Sequence, residues 1–171
     1  AFPTINQAVQ TNPKVLMKTS KGDITIELYA NKAPITVKNF LSYVDEKFYD
    51  GTIFHRVIKG FMIQGGGYTP EFHEKGAKPP IKNEAANGLK NLRGTIAMAR
   101  ETEVDSATCQ FFINHVDNPG LDYKDSTLEG FGYAVFGKVI SGMDVVDAIA
   151  AVPTVSKCGH QNVPGETITI I

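Results

Sequence analysis

The sequence predicts a mainly β domain, a mostly antiparallel barrel or sandwich with two packed helices. Three observations carry that prediction. Seven or eight short runs are rich in β-branched and aromatic residues and bounded by Gly, Pro, Asn or Asp. Only two segments change to a helical period. Strands and helices do not alternate regularly, which argues against a doubly wound parallel sheet. The 171 residues suit one domain, and no repeat, low-complexity block or linker divides them.

Taken in order, residues 1–13 are polar and Pro-containing and read as an arm or tail, with the domain proper spanning 14–171. "KVLMKTS" and "ITIELY" are strand-like runs joined through Gly22, a hairpin signal. In "APITVKNFLSYVDEK", Val37, Phe40, Leu41 and Val44 fall on one helical face. Pro34 suits the first helical position, where its missing N–H would have no partner anyway. "IFHRVI" and "FMIQGG" are neighbouring strand segments broken at Lys59-Gly60. Residues 66–93 form a long polar loop, of the length that is functional or organised by its own contacts. "GTIAMA", "CQFFINH" and "GYAVFGKVI" are further strands. "GMDVVDAIAAV" is a second helix with Val145, Ile149 and Val152 on one side, ended by Pro153. A final loop leads to "ETITII", alternating and β-branched, which reads as a closing strand.

Composition excludes several classes. A net charge of −1 provides no basic field for phosphate polymers, so no nucleic-acid partner is expected. No apolar run approaches the roughly 18 residues needed to span a bilayer, so no membrane role is expected either. Cys109 and Cys158 are neither a C-x-x-C pair nor at metal-site spacing, and their spacing leaves a disulfide open. Cys158 and His160 are too few ligands for a metal. Ala1 fits a mature end left by secretory cleavage and also fits Met removal or a trimmed end; the periplasm is the expected compartment, with the cytoplasm as the alternative.

Ser106, Thr108, Cys109, His55 and His115 make no recognisable nucleophile–base grouping, and no G-x-S-x-G elbow exists. Glu71, Glu74, Glu84, Glu101 and Asp105 sit in polar loops, where solvated surface is the default. The glycines at 65–67 lack the spacing and the following helix of a phosphate loop; they read as places where backbone turns sharply or approaches something closely. Arg56 is the residue that stands out. Strand alternation sets His55 and Val57 on one face and Phe54, Arg56 and Ile58 on the other. An edge arginine that snorkels to solvent or pairs with an acid is the plain reading. Against it, Phe61, Met62 and "QFFI" offer an apolar pocket, and Gln64 and Gln110 add neutral hydrogen-bonding groups, the mixture a ligand site needs.

"FHRVIKGFMIQGGG", "GTIAMA", "SATCQFFIN" and "FGYAVFGKVISGMDVVD" resemble, in order and from about Val15 to Ile170, the cyclophilin family of peptidyl-prolyl cis-trans isomerases. "PPIKNEAANGLKN" is similar to the bacterial branch. The resemblance implies a closed eight-stranded antiparallel β-barrel with a helix over each open end. It implies catalysis of rotation about Xaa-Pro bonds, assisting protein folding, on proline-containing peptides and unfolded or flexible chains. It implies Arg56, Phe61 and Gln64 as catalytic. His55, Met62, Ala99, Arg100, Glu101, Gln110, Phe112, Leu121 and Tyr133 would bind substrate. It implies no cofactor and no metal, and a monomer suffices.

Two departures accompany it. Gly120 stands where the member known for cyclosporin binding carries tryptophan, and the chain contains no Trp, so weak cyclosporin binding with activity retained is expected. Arg100 replaces an asparagine of the backbone-binding segment, which leaves the preference around proline open. The alternative is a non-catalytic proline-binding or chaperone module using the same groove. The two differ at Arg56, which an inert binder has no need to keep.

Overall fold

A computed structural model describes residues 12–171. Most of the predicted arm, residues 1–11, lies outside the described residues. Residues 12 and 13 are tied to the second strand: Asn12 Nδ2 donates to Glu27 Oε1 at 3.1 Å, and Leu28 N–H to the Pro13 carbonyl at 2.8 Å.

The elements follow as β1 (Lys14–Thr19), β2 (Gly22–Leu28), α1 (Pro34–Asp45), β3 (Arg56–Ile58), β4 (Met62–Gly65), β5 (Thr95–Met98), β6 (Phe111–Asn114), β7 (Val135–Ser141), α2 (Met143–Ala150), β8 (Thr154–Lys157) and β9 (His160–Pro164). Short 3₁₀ turns occupy Ala85–Asn87 and Pro119–Leu121. β1 to β7 form one antiparallel sheet in the order β1-β2-β7-β5-β6-β4-β3. β8 and β9 form a separate hairpin in what the sequence offered only as a final loop.

The sheet is an open half-barrel of seven strands, which corrects the expected closed eight-stranded barrel. The run that should have closed it divides its backbone between two partners. Phe54 N–H donates to the Ile168 carbonyl at 3.0 Å and Ile170 N–H to the Thr52 carbonyl at 2.7 Å. On the other side, Ser20 N–H donates to the Thr169 carbonyl at 2.9 Å and Ile171 N–H to the Lys18 carbonyl at 2.8 Å. Only the isolated bridges Thr19–Ile170 and Ile53–Thr169 result. Neither side offers enough consecutive pairs for a ladder.

Side-chain alternation gives the sheet two apolar faces. Ile63, Ile96, Phe111, Ile113 and Phe136 enter the main core with Ile24, Ile26 and Leu28 of β2. Their neighbours Met62, Ala97, Phe112 and Val135 form a second cluster on the opposite face. β5 and β6 are consequently buried throughout, as expected for continuous apolar runs covered on both sides. The second cluster is the floor of the site.

The helices use somewhat different faces from those predicted. In α1, Val37 and Phe40 are buried together with Thr36 and Tyr43, while Leu41 and Val44 are only partly covered. In α2, Ile149 is buried with Val146 and Ala150, and Val145 and Val152 lie at the margin. Pro34 opens α1 as expected, but Ala33 provides no side-chain cap. Glu84 supplies it from the long loop, accepting from Thr36 N–H and Thr36 Oγ1 at 2.6 Å each and from Ile35 N–H at 3.3 Å. An anion at orphan N–H groups is favourable there. Glu84 is thus a structural carboxylate, and so is Asp105, which accepts from Asn83 N–H at 2.8 Å.

The glycine run is a packing requirement. Gly66 has φ +92°, and a Cβ there would stand 2.7 Å from Phe111 and 2.9 Å from Tyr49. A Cβ on Gly67 would meet Gln110 at 2.6 Å. Both cysteines are free, Cys109 buried and Cys158 exposed, which removes the disulfide left open by their spacing.

Candidate active site

β3 and β4 place Arg56 opposite Gln64. Arg56 is exposed, and its Nη1 donates to Gln64 Oε1 at 3.4 Å. Gln64 in turn donates through Nε2 to Gln110 Oε1 at 3.0 Å. The chain of amides orients the guanidinium without placing an acid beside it. Gly67, having no side chain, gives Gln110 the space for this contact.

The next strand brings up the apolar wall. Gln64 pairs with Phe112 across β4 and β6, and Met62 pairs with Asn114. Phe112 is 3% exposed, and its ring meets Tyr133 edge-on, with centroids 5.6 Å apart and planes at 80°. Tyr133 N–H donates to the Leu121 carbonyl at 3.0 Å, which draws the second 3₁₀ turn onto the cluster. Phe61 is held by its own carbonyl, which accepts from His115 N–H at 3.0 Å and Asn118 Nδ2 at 2.8 Å. Asn118 also donates to Asn114 Oδ1 at 2.8 Å, and Asn114 donates to Asn91 Oδ1 and Thr95 Oγ1 at 3.0 Å each. This amide network, absent from the sequence reading, satisfies polar groups behind the pocket.

The result is a cavity of about 120 Å³ lined by Arg56, Phe61, Met62, Gln64, Ala99, Arg100, Phe112, Leu121 and Tyr133. Beside it lies a larger cavity of about 540 Å³, to which Gln64, Ala99 and Arg100 also contribute. Glu101 and Gln110 line this second space rather than the first, with Lys75, Lys78, Ser106 and Thr108. Sequence reasoning weighed Ser106 and Thr108 only as nucleophiles and passed over Lys75 and Lys78, because nothing in a polar loop marks which residues fold back over a sheet. Residues 99–101 follow the end of β5 without regular secondary structure; Ala99 N–H donates to the Gln110 carbonyl at 3.0 Å and Glu101 N–H to Ser106 Oγ at 2.9 Å.

His55 is not brought into either cavity. It is 5% exposed and packs on Tyr68, centroids 4.6 Å apart, with His160 at 6.1 Å. Burial lowers its pKa to about 4, with smaller contributions from the charges of His160 and Arg56. The predicted alternation fails at this point because β3 begins only at Arg56. Phe54 joins Val57 in the main core, and does not share a face with Arg56. Among the described residues, no group of three or more His, Cys, Asp or Glu could hold a metal, and no helix is long and apolar enough to cross a membrane.

Residues 14–171 match the family model described as cyclophilin type peptidyl-prolyl cis-trans isomerase/CLD. The chain belongs to this family. Among curated relatives, this cyclophilin is 60% identical over 160 residues to a peptidyl-prolyl cis-trans isomerase of Acinetobacter baylyi, covering 94% of this chain and 84% of the relative. It is 57% identical over 156 residues to peptidyl-prolyl cis-trans isomerase B of Escherichia coli, covering 91% and 95%. Among solved structures, a Cryptosporidium parvum cyclophilin type peptidyl-prolyl cis-trans isomerase, crystallised in the presence of the dipeptide Ala-Pro, superposes with a TM-score of 0.74 at 29% identity. That match covers 92% of this cyclophilin and 95% of the other chain.

Proposed function

We propose that this cyclophilin catalyses rotation about Xaa-Pro peptide bonds in proline-containing peptides and in flexible or unfolded chains, assisting their folding, with Arg56 stabilising the twisted amide. The observation that carries the reading is the placement of an exposed guanidinium, bonded to a neutral amide, beside a small cavity with an apolar floor of Met62 and Phe112. Its volume of about 120 Å³ suits a single small ring.

The reaction breaks no σ bond. Resistance comes from amide resonance, a barrier of about 18–20 kcal/mol. About 20 kcal/mol corresponds to roughly 0.01 s⁻¹, the uncatalysed timescale of tens of seconds. Lowering it by about 7 kcal/mol gives on the order of 10⁵-fold. At the half-rotated midpoint the prolyl nitrogen regains its lone pair and becomes an acceptor, which it is not in either planar isomer. A donor aimed at that nitrogen binds the transition state more tightly than both ground states, and only such a difference accelerates. No nucleophile is needed, which accounts for a site without an activated serine or cysteine.

The other side chains position. Phe61, Met62, Phe112 and Leu121 take the pyrrolidine ring, and a bound chain covering the exposed Arg56 displaces water there, which strengthens the Arg56 contact by lowering the local dielectric. Gln64, steadied by Gln110, aims the guanidinium. The backbone of 99–101 pairs with the substrate main chain in the manner of an added strand. One side of the bond is clamped while the other turns.

The test is cis/trans exchange of an Xaa-Pro peptide followed by NMR. Accelerated exchange with the intact protein and loss of acceleration in Arg56→Ala support the isomerase. Peptide binding without acceleration would point instead to a non-catalytic proline-binding or chaperone module using the same groove.

A further inference from the structure

The side chain of Arg100 is committed to its own protein. Its Nη1 donates to the carbonyls of Thr102 at 3.3 Å and Glu103 at 3.1 Å, and its Nη2 to the carbonyl of Leu128 at 2.7 Å. The guanidinium lies over the Tyr133 ring, 5.2 Å from its centroid, and Tyr133 meets Phe112 edge-on at 5.6 Å. Arg100 Nε is buried with no hydrogen-bond partner. One planar group thus spans two loops, 102–103 and the segment at 128, and lies over an aromatic ring that lines the small cavity. Arg100 and Tyr133 both line that cavity.

From this we infer that Arg100 is a positioning residue that sets the ring-size selectivity of the proline cavity, acting through Tyr133. The inference rests on the isomerase reading above. Both loops hold no regular secondary structure, so their separation depends on what bridges them: the Arg100 fork, and Asn83, whose Nδ2 donates to the carbonyls of Val104 at 3.1 Å and Gly132 at 3.2 Å. A guanidinium fork bonds several carbonyls in one plane while stacking on an aromatic face; a lysine ammonium is a point donor and cannot do both. An orphaned buried N–H carries a cost, so the arrangement is held in place by the contacts around it. With the fork removed, the Tyr133 ring loses the group stacked on it while its backbone stays bonded to Leu121, so its packing on Phe112 loosens and the cavity that Arg100 and Tyr133 line widens. Discrimination of a single methylene by an apolar pocket is modest and depends on wall rigidity.

The experiment measures NMR exchange of an Xaa-Pro peptide and of its pipecolyl counterpart, whose ring is one methylene larger, with the intact protein and with Arg100→Ala, Arg100→Met and Arg100→Lys. Arg100→Met keeps the apolar stem and decides the matter if Arg100→Ala does not fold. The wild type is expected to favour the prolyl peptide. The Ala and Met variants are expected to lower that preference by about fivefold or more and to raise KM for the prolyl peptide more than they lower kcat. Arg100→Lys is expected not to restore it. Folded variants that keep the wild-type preference and KM overturn the proposal, and so does full rescue by lysine. A wild type that accelerates neither peptide overturns the isomerase reading and this inference with it.

Discussion

Arg56 and Gln64 face each other across the β3–β4 ladder, joined by a 3.4 Å hydrogen bond from Nη1 to Oε1. Gln64 has a second neighbour in Gln110 at 3.0 Å. The guanidinium is therefore aimed by neutral groups that leave its charge undiminished. Gln64→Ala is expected to lower kcat/KM roughly tenfold, the value of one hydrogen bond of about 1–1.5 kcal/mol, with the loss mainly in kcat. Steady-state kinetics on an Xaa-Pro peptide checks this; a change confined to KM would assign Gln64 to substrate binding alone.

His55 supplies a pH dependence of stability. Its folded-state pKa is lowered to about 4 by burial first, then by His160 and Arg56, whereas an unfolded imidazole titrates near 6.5. The unfolded chain therefore binds more protons between these values. Stability is expected to be level above about pH 6.5, to fall as pH drops towards 4, and to level again for this group below 4, losing about 3 kcal/mol in all. Urea unfolding at a series of pH values, compared with His55→Gln, reads it; equal slopes in both proteins would remove His55 as the source.

Glu84 holds the start of α1 from 48 residues away in sequence, through Thr36 and Ile35. Glu84→Ala is expected to cost about 1–2 kcal/mol, in the range of lost N-caps. The midpoint of urea unfolding should shift while kcat/KM stays near wild type, since Glu84 lines neither the small cavity nor the larger one.

Gly120 sits in the 3₁₀ turn beside Leu121, and a Cβ placed there meets nothing within 4 Å. Cyclosporin is expected to bind weakly to the natural chain. Gly120→Trp restores an apolar wall and an N–H donor and is expected to tighten binding by about tenfold, one such contact being worth about 1–2 kcal/mol. Calorimetric titration of both proteins decides.

How much of this was legible in the sequence differs from element to element. Phe111 and Phe112 could be read as strand, but only the ladder shows that one enters the main core and the other the site. The turn at Gly22 and the packing role of Gly65 to Gly67 were readable because only glycine tolerates such geometry. That the barrel stays open was not readable, because strand propensity in "ETITII" says nothing of how many consecutive pairs its neighbours offer. Residues 154–164 pair into the β8–β9 hairpin despite a polar composition, and their turn uses Cys158 at φ 51° ahead of Gly159. Glu84 and Asp105 were assigned to solvent because their partners are distant in sequence. For the site, family motifs brought Arg56, Gln64 and Phe112 together on paper. The Arg100 fork and the Asn114–Asn118 network depend on loop geometry that no local pattern encodes.

The most direct measurement is kcat/KM for Xaa-Pro isomerisation by Arg56→Ala, taken alongside its unfolding midpoint. Arg56 is exposed and makes its side-chain contact with Gln64, so stability should stay within about 0.5 kcal/mol of wild type. The expected rate loss is about 10²–10³-fold, that of one preorganised donor removed from a transition state. A folded Arg56→Ala protein that turns substrate over at the wild-type rate would contradict the account.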